Sequence, residues 1–411
     1  MNKHHYGSSL VAIIFLFSAL GAYAFENAQV LPKGVRNLTL RNVSTETNQK
    51  SDLHGDRVPL AIPLMKPLKF SDILKNEDGV KKTQLAAFLS AKGFSDNESV
   101  GDFKADLAAK INVTAPIFAY GISENLTIAL AAPVYSASTD VKVGFTPNQN
   151  ADKFVGLLAS KDTNNTKSAI EAAGKITDAV QRLNNKLRDN GYSELTPWHG
   201  TALGDMQLVS KYGIYKKKVV NMASAVGVIA PTGKVDNPDI LTDLPTGNGV
   251  WGGTFGLYVD ERIAEQAFFN QYAKYTYQSP GSKVVRLKTE SEAIEVEKKA
   301  LNFKPGDGVE GGISFQIEQQ SGIVFGLGSI YTKKFGDRYK TTDPEVKSEL
   351  QKETDQSALY GQARIGYSTI GAYKRREMAA PASATIEYRK QYAGKNIPLT
   401  DFTQIDVNIY F

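Results

Sequence analysis

Apolar and polar residues alternate strictly along many segments of this chain. The clearest case is the C-terminal segment from Thr400 to Phe411. From Ile405 onward every odd position is apolar, at Ile405, Val407, Ile409 and Phe411, and the positions between them are polar until Tyr410. A period of two predicts a β-strand with one dry face and one wet face. An ordinary sandwich strand gives the same alternation, so other segments have to distinguish a sandwich from a barrel.

Similar alternating segments recur along most of the chain. Between Asp106 and Phe118, for example, the dry positions are Leu107, Ala109, Ile111, Val113, Ala115 and Ile117. We count about twelve such strands, within a range of about 10–14, as in single-chain outer-membrane barrels. After the first strand, the connections run alternately long and short, which is typical of a barrel with short periplasmic turns and long extracellular loops.

The N-terminus has the pattern of a secretory signal peptide. A lysine at position 3 precedes an apolar run from Leu10 to Leu20 and the small-x-small sequence ending at Ala24. This pattern predicts cleavage between Ala24 and Phe25, and hence export to the periplasm. The apolar run is too short to span a bilayer as a helix.

Composition narrows the class of protein further. The chain has no cysteine, so no disulfide and no thiolate metal site is expected. Its mean hydropathy is -0.28, and no segment after Ala24 resembles a membrane-spanning helix. The formal charge of +5 gives no reason to expect nucleic acid as a partner. We expect neither a metal nor a cofactor.

Together these patterns predict an all-β protein, a transmembrane antiparallel β-barrel of about twelve strands. Residues 1–24 would be the signal peptide and residues 25–411 the barrel, in the cell outer membrane, with long extracellular loops at 44–105 and 136–201. An amphipathic helix is predicted from Ser168 to Leu187. It could constrict the mouth or pack against neighbouring loops.

Two prolines, Pro116 and Pro133, fall inside predicted strands. Proline removes a ladder donor, so each marks either a bulge or a gap in the wall.

The wet faces of the predicted strands supply candidate residues for the lumen. Both charge signs occur among them, which predicts mutual pairing for most and a polar lumen, without selectivity for one sign. The candidates are Lys110, Asn112, Asp205, Gln207, Lys211, Gln362, Arg364, Glu387, Arg389, Gln404, Asp406 and Asn408.

Several motifs resemble those of a known family. They are Ile117 to Thr127, then Gly204-Asp205-Met206-Gln207 with Lys211-Tyr212, then Ala230 to Lys234, and then Gly247 to Trp251. The chain resembles the outer-membrane barrels associated with phenol meta-pathway (aromatic) catabolism, and it is similar to the long-chain fatty-acid and aromatic-hydrocarbon channels.

The resemblance implies uptake of small hydrophobic or aromatic solutes through a barrel that contacts outer-membrane lipid. It also implies that the C-terminal residues Ile405, Val407, Ile409 and Phe411 are read by the barrel-assembly machinery. The sequence departs from the fatty-acid channels in having no recognisable N-terminal plug. It leaves the oligomeric state open.

Other functions were weighed against transport. A general diffusion porin and a structural or adhesive barrel remain alternatives. A lipid-hydrolysing barrel would need a histidine to activate a serine, and only His54 and His199 lie beyond the signal peptide. Neither is predicted to fall within a strand, so we expect no enzyme activity.

Overall fold

A computed structural model describes residues 26–75, 77–159, 167–287 and 297–411. The predicted signal peptide, with its cleavage site between Ala24 and Phe25, lies outside the described residues. Within the described ranges, no helix is both long enough and apolar enough to cross a bilayer.

The wall is an antiparallel sheet that closes on itself. Its strands are β1 (Arg36–Thr47), β5 (Ser99–Ser123), β6 (Leu126–Ala131), β7 (Val134–Pro147), β8 (Trp198–Leu203), β9 (Met206–Lys216), β10 (Val220–Ala230), β11 (Gly252–Ala264), β12 (Ala267–Gln278), β15 (Gly308–Glu318), β16 (Ile323–Lys334), β18 (Gln356–Ser368), β19 (Ala382–Lys395) and β21 (Asp401–Tyr410). The sheet closes because β1 pairs with both β21 and β5. Since β6 continues into β7 and β8 into β9, the described strands make a barrel of twelve positions, as predicted.

Seven shorter strands lie outside the wall positions. They are β2 (Gln49–Ser51), β3 (Arg57–Pro59), β4 (Pro67–Lys69), β13 (Gly281–Leu287), β14 (Glu297–Lys304), β17 (Arg338–Tyr339) and β20 (Ile397–Pro398) among the described residues. The β13–β14 pair forms a separate hairpin in one long connection.

Helices occur in the connections. They are α1 (Phe70–Lys75), α2 (Gly79–Ala91), α3 (Gln149–Ala159), α4 (Lys167–Thr177), α5 (Ala179–Asp189), α6 (Pro344–Gln351) and α7 (Ile370–Lys374), with a short 3₁₀ turn at Ile62–Leu64. The single helix predicted from Ser168 to Leu187 is therefore two helices, which meet at Asp178.

Long and short connections alternate between the two ends of the barrel, which we call the long-loop end and the short-turn end. The two largest loops are shorter than predicted. Residues 44–47 belong to β1 and 99–105 to β5, while β7 extends to Pro147 and β8 begins at Trp198. The predicted loops 44–105 and 136–201 are thus 48–98 and 148–197, because β5 and β7 extend as a long hairpin with polar residues on both faces.

Outward side chains form an apolar belt around the middle of the wall. Leu40, Leu208, Val226, Ile313 and Leu327 are all exposed on this face. Exposed aromatic side chains lie near both ends of the strands: Tyr120, Tyr212, Tyr367 and Phe411 toward the short turns, and Trp251, Tyr277, Tyr331 and Tyr392 toward the long loops. A belt with aromatic girdles is the outer surface of membrane barrels.

The face predicted for β5 is wrong. All six positions predicted on the outward dry face are buried and face inward: Leu107, Ala109, Ile111, Val113, Ala115 and Ile117. The first four join an apolar cluster inside the barrel, to which the connections contribute Leu60, Ala61, Leu244 and Ile397. The predicted period of two is correct. The apolar face of β5 points inward and not outward, because it packs against loops that lie inside the barrel.

The helices of the two largest loops pack together beyond the wall. Phe70, Phe88 and Phe154 meet edge to face, with Phe70 and Phe154 ring centroids 5.2 Å apart. Ala172 and Ile176 of α4 are buried in the same cluster. The apolar stripe of the predicted helix is therefore covered by neighbouring loops, which favours the packing alternative over a constriction at the mouth.

Candidate functional site

Ten of the twelve predicted lumen residues lie inside the wall or at a break in it. Those facing inward from regular strands are Gln207, Lys211, Gln362, Arg364, Glu387, Arg389, Gln404, Asp406 and Asn408. Asp205 lies between β8 and β9.

The other two predictions, Lys110 and Asn112, are wrong. Both lie on the outward face of β5, opposite Glu46 and Ser44 of β1. The cause is the reversed apolar face of this strand: the inward positions beside them are filled by Ala109, Ile111 and Val113.

One inner wall carries a network of paired charges. The Glu387 side chain, only 1% exposed, accepts hydrogen bonds from both Arg364 and Arg389. Arg389 also donates to Glu26 at 3.0 Å, and Arg364 lies 3.5 Å from the same carboxylate. Because each charge has an opposite partner, the network holds neighbouring strands together rather than presenting free charge to a solute.

Two more buried pairs extend this polar wall. Arg41 of β1 donates to both carboxylate oxygens of Asp406 on β21, at 2.8 and 2.7 Å, across the closing seam. Gln404 also donates to Asp406, at 2.9 Å. On β12 and β15, Lys274 pairs with Glu310 at 2.5 Å.

The described N-terminal residues cross the lumen near the short-turn end. The Leu31 amide donates to Thr127 Oγ1 of β6 at 2.8 Å, and the Ala28 amide donates to Asp260 of β11 at 2.9 Å. Lys211 Nζ donates to the carbonyl of Asn27. With Glu26 held by Arg389, these contacts run from one wall to the opposite wall.

The sequence has no recognisable N-terminal plug, and it did not predict this segment that crosses the lumen. Residues 26–32 show no alternation and end at Pro32, a pattern typical of a linker. Their position inside the barrel depends on contacts with distant strands, which periodicity cannot reveal.

One stretch of the inner wall is apolar and made mostly of small residues. Ala115, Ile117 and Ala119 of β5 face inward beside Ala129 and Ala131 of β6. Leu31 of the N-terminal segment packs against this patch, which we call the small-residue wall. It lies directly beside the Arg41–Asp406 pair, since Arg41 of β1 is the register partner of Ala115.

Next to the small-residue wall, two neighbouring wall positions are interrupted at the same level: one between β6 and β7, the other between β8 and β9. Ala131 pairs with Gln207, whereas Val134 pairs with Leu203, so one extra residue is present between β8 and β9. This is a β-bulge. The two prolines thus accompany a bulge, and a hydrogen bond of 2.7 Å from the Gly204 amide to the Pro133 carbonyl crosses it. We call residues 131–134 and 203–206 the strand joint.

The motifs at positions 204–207, 230–234 and 247–251 meet at this joint. Asp205 accepts from the Gly233 amide at 2.8 Å and from the Asn248 amide at 3.4 Å. The Tyr135 ring packs over Gly204, in the space that a Cβ atom there would occupy. Asp205, predicted as a lumen residue, is thus an acceptor that attaches both ends of the 231–251 loop to the wall. We call these ends, near Gly233 and Asn248, the roots of the loop.

The tip of the 231–251 loop inserts into the mouth of the barrel. Thr242, Asp243 and Leu244 are buried, and Thr139 of β7 donates to the Thr242 carbonyl at 2.8 Å. Burial, followed by the nearby Asp236 carboxylate, raises the pKa of Asp243 to about 7. The loop tip therefore reaches into the barrel at the long-loop end, while the N-terminal segment crosses the lumen near the short-turn end.

The two histidines are far apart and differently placed. His54 lies in a loop. His199 lies within β8 and is exposed on its outward side, so the expectation that it precedes a strand is wrong. It is the register partner of Ser138 on β7, but neither side chain hydrogen bonds to the other. A serine nucleophile requires that hydrogen bond to its base.

Across the described ranges, no group of three or more His, Asp or Glu side chains could hold a metal ion.

The geometry can be compared with known proteins. No protein-family model matches the chain, and no curated protein matches it by sequence. An outer-membrane channel of Pseudomonas putida F1 has a similar structure, with a TM-score of 0.52 and 9% identity, covering 93% of this chain and 98% of that one.

Two further solved structures are similar at lower scores. A Pseudomonas aeruginosa FadL homologue has a TM-score of 0.35 and 7% identity, covering 94% of this chain and 93% of that one. The toluene transporter TbuX of Ralstonia pickettii has a TM-score of 0.35 and 9% identity, covering 93% and 90%. The chain thus has the fold of an outer-membrane channel barrel, established by the first of these three structures.

Proposed function

We propose that this protein is an outer-membrane channel for passive uptake of small hydrophobic or aromatic solutes. The observation that carries the proposal is the small-residue wall, an apolar inner surface whose side chains are at most 5% exposed and against which Leu31 of the N-terminal segment packs. Displacement of Leu31 would uncover an apolar surface of small side chains, and apolar pocket walls favour an apolar solute. A channel for ions or sugars would not need such a surface.

The charged wall supports the same proposal. Its arginines and acids neutralise one another, so no field of one sign is available to select an ion. A general diffusion porin is the alternative, but the segments that close both ends of this lumen argue against an open water channel.

The strand joint supports a sideways route into the membrane. It lies directly beside the small-residue wall, and its outward neighbours Val134 and Leu203 are exposed apolar side chains. We propose that an apolar solute enters from the long-loop end and leaves through the joint into lipid. This route avoids the N-terminal segment, which crosses the lumen below.

The proposal also implies which partners the protein has and where it is located. The partners would be outer-membrane lipid around the apolar belt, the assembly machinery at Phe411, and the solute. Localisation to the outer membrane would follow export through the periplasm.

Uptake of labelled toluene and oleate by cells with and without the protein tests the proposal. Ala129→Phe, which fills the small-residue wall, should reduce uptake, whereas Leu31→Ala should increase it. Ala363→Phe is the matched control, because Ala363 is exposed on the outward face. Equal uptake with and without the wild-type protein would rule the proposal out.

Two assays address the remaining alternatives. Planar-bilayer recording separates a channel from a structural or adhesive barrel, which would stay silent although folded. A lipid-hydrolysis assay with His199→Ala as control addresses the enzyme alternative, for which we expect no activity.

A further inference from the structure

We propose that Asp205 is a positioning residue that couples the strand joint to the 231–251 loop, so that the wall and the mouth open together. The inference deepens the proposed function, since it concerns the regulation of the same passage. It begins from the position of one carboxylate at the bulge between β8 and β9.

Asp205 holds both roots of the loop. Its Oδ1 atom accepts from the Gly233 amide at 2.8 Å, and its Oδ2 atom accepts from the Asn248 amide at 3.4 Å. These two amides lie fifteen residues apart in the chain, at opposite ends of the loop. Charge-assisted hydrogen bonds from a carboxylate to backbone amides are stronger than neutral ones. One side chain in the wall thus sets the spacing of the roots.

Two threonine hydroxyls reinforce the attachment. Thr232 Oγ1 donates to the Gly204 carbonyl at 2.7 Å and accepts from the Met206 amide at 2.9 Å. Thr246 Oγ1 donates to the Leu203 carbonyl at 2.7 Å. These carbonyls and amides belong to the bulge, where regular ladder pairing is interrupted. The loop roots therefore satisfy backbone groups that a continuous strand pair would have satisfied itself.

The roots are also tied to each other. The Thr246 amide donates to the Lys234 carbonyl at 2.8 Å, and the Lys234 amide donates to Thr246 Oγ1 at 2.9 Å. Gly233 and Gly247 lie in contact, where a Cβ atom on Gly247 would stand 2.8 Å from the Gly233 Cα. The two roots are therefore bonded to each other as well as to the strand joint.

The tip of the loop is the part that closes the mouth. Leu244 is 6% exposed and packs in the apolar cluster inside the barrel. The two loop roots are bonded to each other and to the bulge. We therefore expect a movement of the bulge to move both roots and, through them, the loop tip. Loss of the Asp205 acceptor should release the tip without disturbing the helices at the far side of the loops.

Thiol labelling tests this coupling, and the absence of native cysteine makes each introduced thiol specific. Leu244→Cys reports on the tip. Ala172→Cys, fully buried in the cluster of α4, is the matched control. The protein is refolded in lipid vesicles and labelled with a maleimide, with and without Asp205→Asn or Asp205→Ala.

We expect Asp205→Asn to raise the labelling rate at position 244 about tenfold or more, the scale of one lost charge-assisted hydrogen bond. Asp205→Ala should raise it further, since an amide retains one acceptor oxygen and alanine retains none. Labelling at position 172 should not change. Unchanged labelling at 244, or an equal increase at both positions, would overturn the proposal.

Thr246→Val is a second variant in case the Asp205 variants fail to fold. It removes one tie between the loop and Leu203 and should also raise labelling at 244, and no increase would count against the coupling. Labelling needs no solute, so this result is independent of the uptake assay. Loss of uptake with intact coupling, and intact uptake with loss of coupling, can therefore be told apart.

Discussion

A single glutamate holds the charged side of the lumen. Glu387 is almost fully buried and lies between Arg364 and Arg389, both of which also approach Glu26. Removing Glu387 leaves two desolvated arginines that share the single carboxylate of Glu26, and an undercompensated buried charge costs more than the pair contributes.

We therefore expect Glu387→Ala to lower the free energy of unfolding by about 3–5 kcal/mol. Denaturant unfolding in lipid vesicles measures the change. Glu377→Ala is the control, because Glu377 pairs with Arg375 on the exposed short-turn side and should matter little. Equal stability of the two variants would show that the buried network does not hold the wall.

Individual residues also mark what sequence alone can predict. The outward positions Ile405, Val407 and Ile409 follow directly from a period of two. Lys110 and Asn112 do not, because alternation fixes which residues share a face but not which face meets lipid. That choice depends on what fills the lumen, and on β5 the filling is apolar.

Among the elements, the 231–251 loop carries a half-buried to buried carboxyl group, that of Asp243, whose pKa is raised toward neutral pH. The neutral form of Asp243 is favoured in the folded loop, where burial and Asp236 raise its pKa from 3.8 to about 7. A raised pKa adds stability below the unfolded value, and this is lost as the pH rises through the folded value. Arg286, which pairs with Asp236 at 3.0 Å, offsets part of the repulsion.

We expect the loop tip to loosen progressively between about pH 4 and pH 7, the interval between the unfolded and the folded pKa of Asp243. Maleimide labelling of Leu244→Cys should accelerate across this range by more than that of Ala172→Cys, which corrects for ionisation of the thiol itself. Adding Asp243→Asn should remove the excess, since an amide does not titrate. An excess that persists in the Asp243→Asn background would assign the effect to another group.

The strand joint shows what short motifs can and cannot predict. Gly204-Asp205, Pro231-Thr232-Gly233 and Gly247-Asn248 each stand out in the sequence as turn-forming runs. Their meeting at one bulge depends on hydrogen bonds between residues up to 43 positions apart, such as Asn248 to Asp205. Local chemistry identifies the pieces, but only the closed sheet brings them together.

At the scale of the whole molecule, two segments that are not strands enter the lumen. The N-terminal segment crosses it near the short turns, and the tip of the 231–251 loop packs inside it near the long loops. The barrel itself was predictable from the strand period and the connection lengths. The positions of these two segments were not, because neither segment has a period.

Deleting residues 26–31 should open the short-turn end. The wall begins at Arg36, so the deletion leaves the described strands intact. We expect planar-bilayer recordings to show larger conductance steps for the deletion variant than for the wild-type protein, and Leu31→Ala to produce a smaller increase. Unchanged recordings after the deletion would mean that the segment does not limit passage.

The seam between β1 and β21 has a consequence for biogenesis. Arg41 meets Asp406 across 365 residues of chain, so the ring can close only after β21 has been made. Until then β1 and β19 present open edges, and such edges recruit other chains. Contacts this distant along a chain also form slowly. We therefore expect a chain that lacks β21 to keep an open edge instead of forming a smaller barrel.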